Sequence, residues 1–180
     1  SVKLSDKNVE AFTELRVTAG LTNEELMGIQ ALTLTNGKSL EQNTGEIMAQ
    51  AKITGMRNGV LLNEKEVLKG IKDISAATTL TLGKNPKLLA QAAATAKSLG
   101  IEMSQVESIS NSLLDFQSSL SAEIEAQILT GKQLNLQKAR ELALTGDLSG
   151  MMDVVLKQLG SESEFNALNI ISPNILYIRL

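Results

Sequence analysis

Apolar residues recur every three or four positions along most of the chain, and the runs they form are closed by glycine or by Asn-Gly. This spacing is typical of amphipathic helices, each of which buries one face. The starts of the runs carry S/T-x-x-E/Q boxes, an asparagine followed three residues later by glutamate, or Asn-Pro. Their side-chain oxygens can accept from the free N–H groups of a first helical turn. The pattern predicts an all-α fold, an array or bundle of roughly eight to ten short helices joined by Gly-stopped, Ser/Thr/Asn-capped turns. The predicted starts are Thr22–Glu25, Ser39–Gln42, Asn63–Glu66, Asn85–Pro86, Ser104–Glu107 and Ser161–Glu164.

The same periodicity identifies the residues that the first six helices should turn inward. Alanines dominate the helix after Pro86, where we expect only a narrow buried stripe. Gly45 lies inside its predicted helix and should cost that helix about 1 kcal/mol relative to alanine. The predicted inward residues are Val9, Phe12 and Leu15; Leu26, Ile29 and Leu32; Leu40, Ile47, Met48 and Ala51; Val67, Leu68, Ile71 and Ile74; Leu89, Ala93 and Ala96; and Val106, Ile109, Leu113 and Phe116.

The stretch from Ser119 to Gly160 shows the pattern most densely. Three short helical pieces follow one another, and each is closed by a glycine. Asn135 and Asp147 stand where N-caps are needed. The predicted packing residues are Ile124, Ile128, Leu136, Ala139, Ala143, Leu148, Met151, Met152, Val155 and Leu159, and the closing glycines are Gly131, Gly146 and Gly160.

The pattern indicates one helical domain over residues 1–168, with a soft division near 83–86. Residues 169–180 (NIISPNILYIRL) break it with a β-prone apolar run. A terminal strand, a docked tail, or an end unrelated to the native continuation are alternatives there. The recurring LTNGK, LTLGK and ILTGK runs indicate either a helical repeat or ordinary helix-end chemistry.

Composition excludes several function classes. The 180 residues are 43% hydrophobic and carry a net charge of −3, so we expect a folded chain with no attraction to nucleic acid. There is no cysteine and no histidine, which removes disulfides, thiol and imidazole catalysis and the usual zinc or haem sites. No apolar run approaches the ~18 residues of a membrane span. The chain begins with Ser1 rather than methionine, which suggests a piece of something longer or a processed chain.

Two candidate motifs fail on their surroundings. Gly37-Lys38-Ser39 is similar to the end of a phosphate-binding loop, but the spacing requires glycine where Leu32 stands. Ala96, Gly100 and Val106 have the small, turn and buried positions of a helix-turn-helix. Residues 97–127, however, hold one lysine against five carboxylates, a net charge of −4, which disfavours phosphate contact.

No catalytic, cofactor-binding or metal-binding residue is predicted. The paired carboxylates point apart on a helix and are interpreted as solvated helix faces. Methionines are interpreted as core filler, with a Met-lined partner groove as the alternative. The carboxylates are Glu24 and Glu25, Glu64 and Glu66, Glu123 and Glu125; the methionines are Met27, Met48, Met56, Met103, Met151 and Met152.

Three segments carry a family resemblance: LTLTNGKSLEQNTGEIMAQAK, KNPKLLAQAAATAKSLGIEMSQVE and LLDFQSSLSAEIEAQILTGKQLNLQKARELALTGDLSGMM. They resemble stretches of tail tape measure proteins of large tailed bacteriophages, and the likeness covers most of Val9 to Leu168. Residues 169–180 depart from the family, where polar helical sequence would be expected to continue.

The resemblance implies a non-catalytic structural role in tail length determination and tail assembly. Its implied partners are tail tube and tail assembly proteins, and its location is the virion after assembly in the host cytoplasm. A homo-oligomer is compatible with this role, and no cofactor, nucleic acid or membrane span is expected. Two alternatives stay open: a stand-alone helical protein–protein interaction or regulatory domain, and a helix-turn-helix nucleic-acid binder.

Overall fold

The computed structural model describes residues 6–18, 20–72, 74–75, 78–79, 82–131 and 133–159. Within these ranges it contains nine helices with defined ends and no strand, which confirms the all-α prediction. The helices are α1 (Asp6–Thr18), α2 (Asn23–Asn36), α3 (Leu40–Arg57), α4 (Glu64–Ile71), α5 (Pro86–Ser98), α6 (Met103–Leu114), α7 (Phe116–Thr130), α8 (Gln137–Thr145) and α9 (Leu148–Leu159).

The chain divides into two compact units, Ser1–Ser104 and Gln105–Leu180. In the first unit α3 packs along α5, and α4 contacts both of them. Helix α2 packs against α3 and α4, while α1 adds smaller contacts with α2 and α3. Because α5 is bound into this group, the turn at 83–86 lies inside the first unit, and the division falls further along the chain.

The capping boxes predicted at Thr22–Glu25 and Ser39–Gln42 both form. Thr22 Oγ1 accepts from the backbone N–H of Glu25 at 3.3 Å, and Glu25 Oε2 accepts from the Thr22 N–H at 2.7 Å. Ser39 and Gln42 make the same reciprocal pair at 3.2 and 3.0 Å. Two orphan donors are thereby satisfied at the start of α2 and of α3 by residues next to them in sequence.

The remaining predicted helix starts have mixed outcomes. Asn85 Oδ1 accepts from the Leu88 N–H at 3.4 Å, with Pro86 opening α5 as predicted. Asn63 does cap α4, but it accepts from the N–H of Lys65. The prediction for Ser104 is wrong, because α6 already begins at Met103. Ser161–Glu164 and residues 169–180 lie outside the described residues.

The core of the first unit is aliphatic. The narrow stripe predicted for α5 is wrong, since alanines on several sides of that helix are buried. The reason is that α3 and α4 both pack against α5, and small side chains allow such close contact. Val9 is also wrongly placed: it is 50% exposed, because α1 turns Ala11 inward together with Phe12, which was predicted to be buried. The largest buried side chains here are Leu26, Ile29, Leu32, Leu40, Ile47, Leu68 and Leu89.

Gly28 marks a close approach between α2 and the end of α4. A Cβ atom at Gly28 would lie 2.9 Å from the backbone Cα of Lys72. Such a distance requires the two segments to move apart. Gly45, in α3, has nothing within 4 Å of the same hypothetical atom. Glycine is therefore a packing requirement at Gly28 and is not one at Gly45.

In the second unit α8 packs against α9. Gly131 and Gly146 end α7 and α8 with φ values of 67° and 78°, the left-handed conformation that glycine adopts without strain. Asp147 Oδ1 accepts from the Gly150 N–H at 2.9 Å and caps α9 as predicted. Gly160 and the Leu159 side chain lie outside the described residues. The predicted core residues Leu136, Ala139, Ala143, Leu148, Met151, Met152 and Val155 are all buried.

Candidate interaction surface

Helix α7 presents its bulky apolar residues to solvent. Phe116, Leu120, Ile124 and Ile128 are 49%, 49%, 59% and 76% exposed. Residues four apart are displaced by about 40° around a helix, so these side chains form one slanted band, here called the α7 stripe. The predicted burial of Phe116, Ile124 and Ile128 is wrong.

The opposite side of α7 is small and polar. Ser119 is fully buried, Ala122 is 5% exposed and Glu123 is 9% exposed. Most helices of globular proteins bury their large apolar residues and expose the polar ones. In α7 this order is reversed, so a cause other than hydrophobic burial orients the helix.

That cause is the side chain of Arg140 in α8, which is 3% exposed. Its Nη2 donates to Glu123 Oε2 at 2.5 Å, and its Nε donates to Ser119 Oγ at 2.9 Å. Burying a guanidinium group costs free energy of desolvation unless an anion and further hydrogen-bond acceptors contact it. Since Ser119 and Glu123 are four residues apart, both face Arg140 when α7 takes one rotation about its axis.

This rotation determines where the stripe lies. Leu120 and Ile124 each follow a network residue by one position, which turns them about 100° away from the buried side. We name the three side chains Ser119, Glu123 and Arg140 the buried ionic network. The network holds the stripe outward.

The connection between α7 and α8 exchanges hydrogen bonds with side chains of α7 and α9. Gln127 Nε2 donates to the Leu134 carbonyl at 3.1 Å, and Gln158 Oε1 of α9 accepts from the Asn135 N–H at 3.0 Å. Leu136, the residue before α8, has no capping side chain of its own. Its N–H donates to Glu123 Oε2 at 3.3 Å. The predicted N-cap, Asn135, is wrong by one position: Asn135 precedes the observed N-cap Leu136, and its Oδ1 accepts from the Gln137 N–H at 3.0 Å.

The carboxylate interpretation holds only in part. Glu66 is exposed, and the hydrogen bond from Lys69, with Nζ to Oε1 at 2.9 Å, lowers its pKa. Glu25 and Glu123 are buried, so a solvated face is wrong for both of them. The sequence holds one partial signal: Arg140 interrupts the apolar face of α8 and therefore needs an acidic partner, but the sequence does not indicate that Glu123 is that partner.

The two dismissed motifs have structural roles. Lys38 Nζ lies 2.7 Å from Glu46 Oε1, and Ser39 caps α3. Ala96 and Val106 are buried, and Lys97 Nζ lies 4.0 Å from Glu102 Oε1. Neither arrangement gathers positive charge for a phosphate.

The methionines do not behave as one class. Met103, Met151 and Met152 are core residues, and Met48 is half-buried. The interpretation as core residues is wrong for Met27 and Met56, which are 65% and 72% exposed.

The described residues contain no group of three or more Asp or Glu side chains that could hold a metal ion. In the same part of the chain, no helix combines the length and the apolar character that crossing a membrane requires.

Comparison with known proteins identifies no family. No protein-family model, no curated protein and no solved structure matches the chain.

Proposed function

We propose that the chain is a structural, non-catalytic helical segment of a phage tail tape measure protein, acting in tail length determination and tail assembly. The resemblance over Val9 to Leu168 and the all-helical build support this proposal. In this proposal its partners are tail tube and tail assembly proteins, in the virion after assembly in the host cytoplasm.

The observation that carries an assembly role is the α7 stripe. Four large apolar side chains, each about half exposed or more, lie on one helix. Contiguous exposed apolar patches larger than a few hundred Å² mark protein–protein interaction sites. The stripe is also held outward by a buried ion pair, so its exposure is a built feature of the second unit.

The length of the parent reading frame tests the family assignment. A frame of many hundreds of codons among tail genes supports a tape measure protein. A frame ending near Leu180 in a regulatory neighbourhood contradicts it and favours the alternative, a stand-alone helical interaction domain, which the α7 stripe would serve equally well.

Tail length tests the role directly. An in-frame deletion of codons 6–104 should shorten tails, measured by electron microscopy, by up to about 1.5 Å per deleted residue if the segment is stretched as helix in the tail. Tails of unchanged length and normal yield would show that this segment takes no part in length determination.

The stripe is tested separately by charge. Ile124→Lys with Ile128→Lys should reduce the yield of assembled tails while leaving the free energy of unfolding within about 0.5 kcal/mol, because both positions are exposed. The matched control is Val17→Lys in α1, at a side chain 80% exposed. Equal tail yields for the two variants would show that the α7 stripe takes no part in tail assembly.

A nucleic-acid-binding function has no comparable support, because residues 97–127 carry a net charge of −4. A salt-dependent shift of duplex DNA by the purified chain would revive it.

A further inference from the structure

The chain contains the dipeptide Asn-Gly twice, at Asn36-Gly37 and at Asn58-Gly59. In this dipeptide the glycine nitrogen can attack the asparagine side chain without hindrance from a neighbouring Cβ. Each sequence is therefore a candidate for spontaneous deamidation, and the local structure decides which one reacts.

Asn36 is immobilised. It is the last residue of α2, and its Nδ2 donates to Asn43 Oδ1 at 2.8 Å and to the Gly83 carbonyl at 3.0 Å. Its Oδ1 accepts from the Lys38 N–H at 2.9 Å. The Gly37 N–H, whose nitrogen would attack, donates to the Thr33 carbonyl at 2.9 Å. The side chain must break these bonds before it can turn towards Gly37.

The side chain of Asn58 has none of the restraints that hold the side chain of Asn36. It follows Arg57, the last residue of α3, and is exposed. Across the described part of the chain, its side chain makes no hydrogen bond. The Gly59 N–H donates to the Met56 carbonyl at 3.2 Å, a longer bond to a nearer residue than the one at Gly37. Both reacting groups are easier to release here.

We propose that Asn58 is a site of spontaneous deamidation through a cyclic imide. The Gly59 nitrogen loses its proton and bonds to Asn58 Cγ, and the Cγ–Nδ2 bond breaks with release of ammonia. Water then opens the ring at either carbonyl, leaving aspartate or isoaspartate. The net change is one water consumed and one ammonia released, with no oxidant, reductant or other co-reactant.

The product changes the surface at the end of α3. A new carboxylate appears next to the negative end of the helix, where anions are unfavourable. In the sequence it lies between Met56 and Leu61, whose side chains are 72% and 102% exposed. Isoaspartate also lengthens the backbone beside the bond from the Val60 N–H to the Gly55 carbonyl, 2.9 Å long. Deamidation therefore adds a negative charge to an exposed apolar segment.

The test is to incubate the purified full chain in mildly alkaline buffer, folded and in urea, and to cleave it after lysine. Asn58 is then internal to the peptide 53–65 and Asn36 to the peptide 8–38. Mass spectrometry with fragmentation measures the conversion of amide to acid at each asparagine. In urea the two sites should convert at similar rates, because the dipeptides are identical.

In the folded chain Asn58 should convert at least about tenfold faster than Asn36, the ratio that breaking two or three ordinary hydrogen bonds implies. Asn58→Gln should remove the conversion of peptide 53–65 at that position. Asn43→Ala, which removes an acceptor of Asn36, should accelerate Asn36.

Equal rates in the folded chain, a faster Asn36, or no conversion of Asn58 while the urea-treated chain converts would each overturn the proposal. The comparison of folded and urea-treated chain keeps the test decisive if Asn43→Ala does not fold.

Discussion

The two units differ in the kind of side chain that their helices turn inward. The first unit fills its interior with aliphatic side chains and satisfies the starts of α2 and α3 through neighbouring residues. The second unit places the buried ionic network inside while α7 exposes four large apolar residues. Buried leucines and isoleucines account for most helix orientations in the first unit, although α3 also buries Asn43 and Thr54 and exposes Ile53. In α7 of the second unit, the buried ion pair takes the place of the large apolar residues on the inward side.

The largest expected effect is on the buried ionic network. Glu123→Gln leaves Arg140 buried without its anion, which should lower the free energy of unfolding by about 3–5 kcal/mol. Urea denaturation followed by circular dichroism, with hydrogen exchange of α8 amides, measures the loss. Glu125→Gln, on the exposed side of α7, should cost less than about 1 kcal/mol. Similar losses for both variants would mean that the network does not stabilise the second unit.

The next effect concerns close packing in the first unit. Gly28→Ala forces α2 away from Lys72 and should cost about 1–3 kcal/mol. Gly45→Ala is the matched control: its Cβ meets nothing, so the same substitution should stabilise α3 by about 1 kcal/mol. Thermal denaturation of the two variants checks both signs. If both are stabilising, the contact between α2 and the end of α4 is looser than the distance of 2.9 Å indicates.

A smaller effect is expected at the local caps. Thr22→Ala removes the acceptor for the Glu25 N–H and should cost about 1 kcal/mol. Ser39→Ala should cost a similar amount, because its box has the same geometry. Urea midpoints measure both changes. An unchanged midpoint for the two variants would show that the first unit does not depend on its capping boxes.

The smallest effect is on the surface, where the two units are alike. The hydrogen bond from Lys69 lowers the pKa of Glu66, and the one from Lys138 lowers the pKa of Glu141. A lowered carboxyl pKa gives stability that is present above its ordinary value and is lost as pH falls through the folded value. Lys69→Met and Lys138→Met should each raise the pKa of the paired glutamate, as carboxyl NMR titration would show. Unmoved values would mean that these pairs do not persist in solution.

The sequence predicted most of the first unit because its signals are local. Thr22, Glu25, Ser39 and Gln42 lie within three residues of their partners, and periodic leucines and isoleucines fill the core. In α7 the pattern was ambiguous, since both a bulky and a small side recur at helical spacing. The choice between them depends on Arg140, which is 17 residues from Glu123 in the chain. Local periodicity contains no information about such a pairing.

The acceptor at the start of α8 has a consequence for the order of folding. Leu136 supplies no capping side chain to α8, and its own N–H donates to Glu123 of α7, while the neighbouring Asn135 accepts from the Gln137 N–H. A helix of nine residues is too short to persist alone in water. We therefore expect α8 to form only after α7 is in place, whereas α2 and α3 begin from signals within their own first turns. The second unit would then fold in the order α7, then α8. A substitution that disrupts α7 should therefore slow the formation of α8.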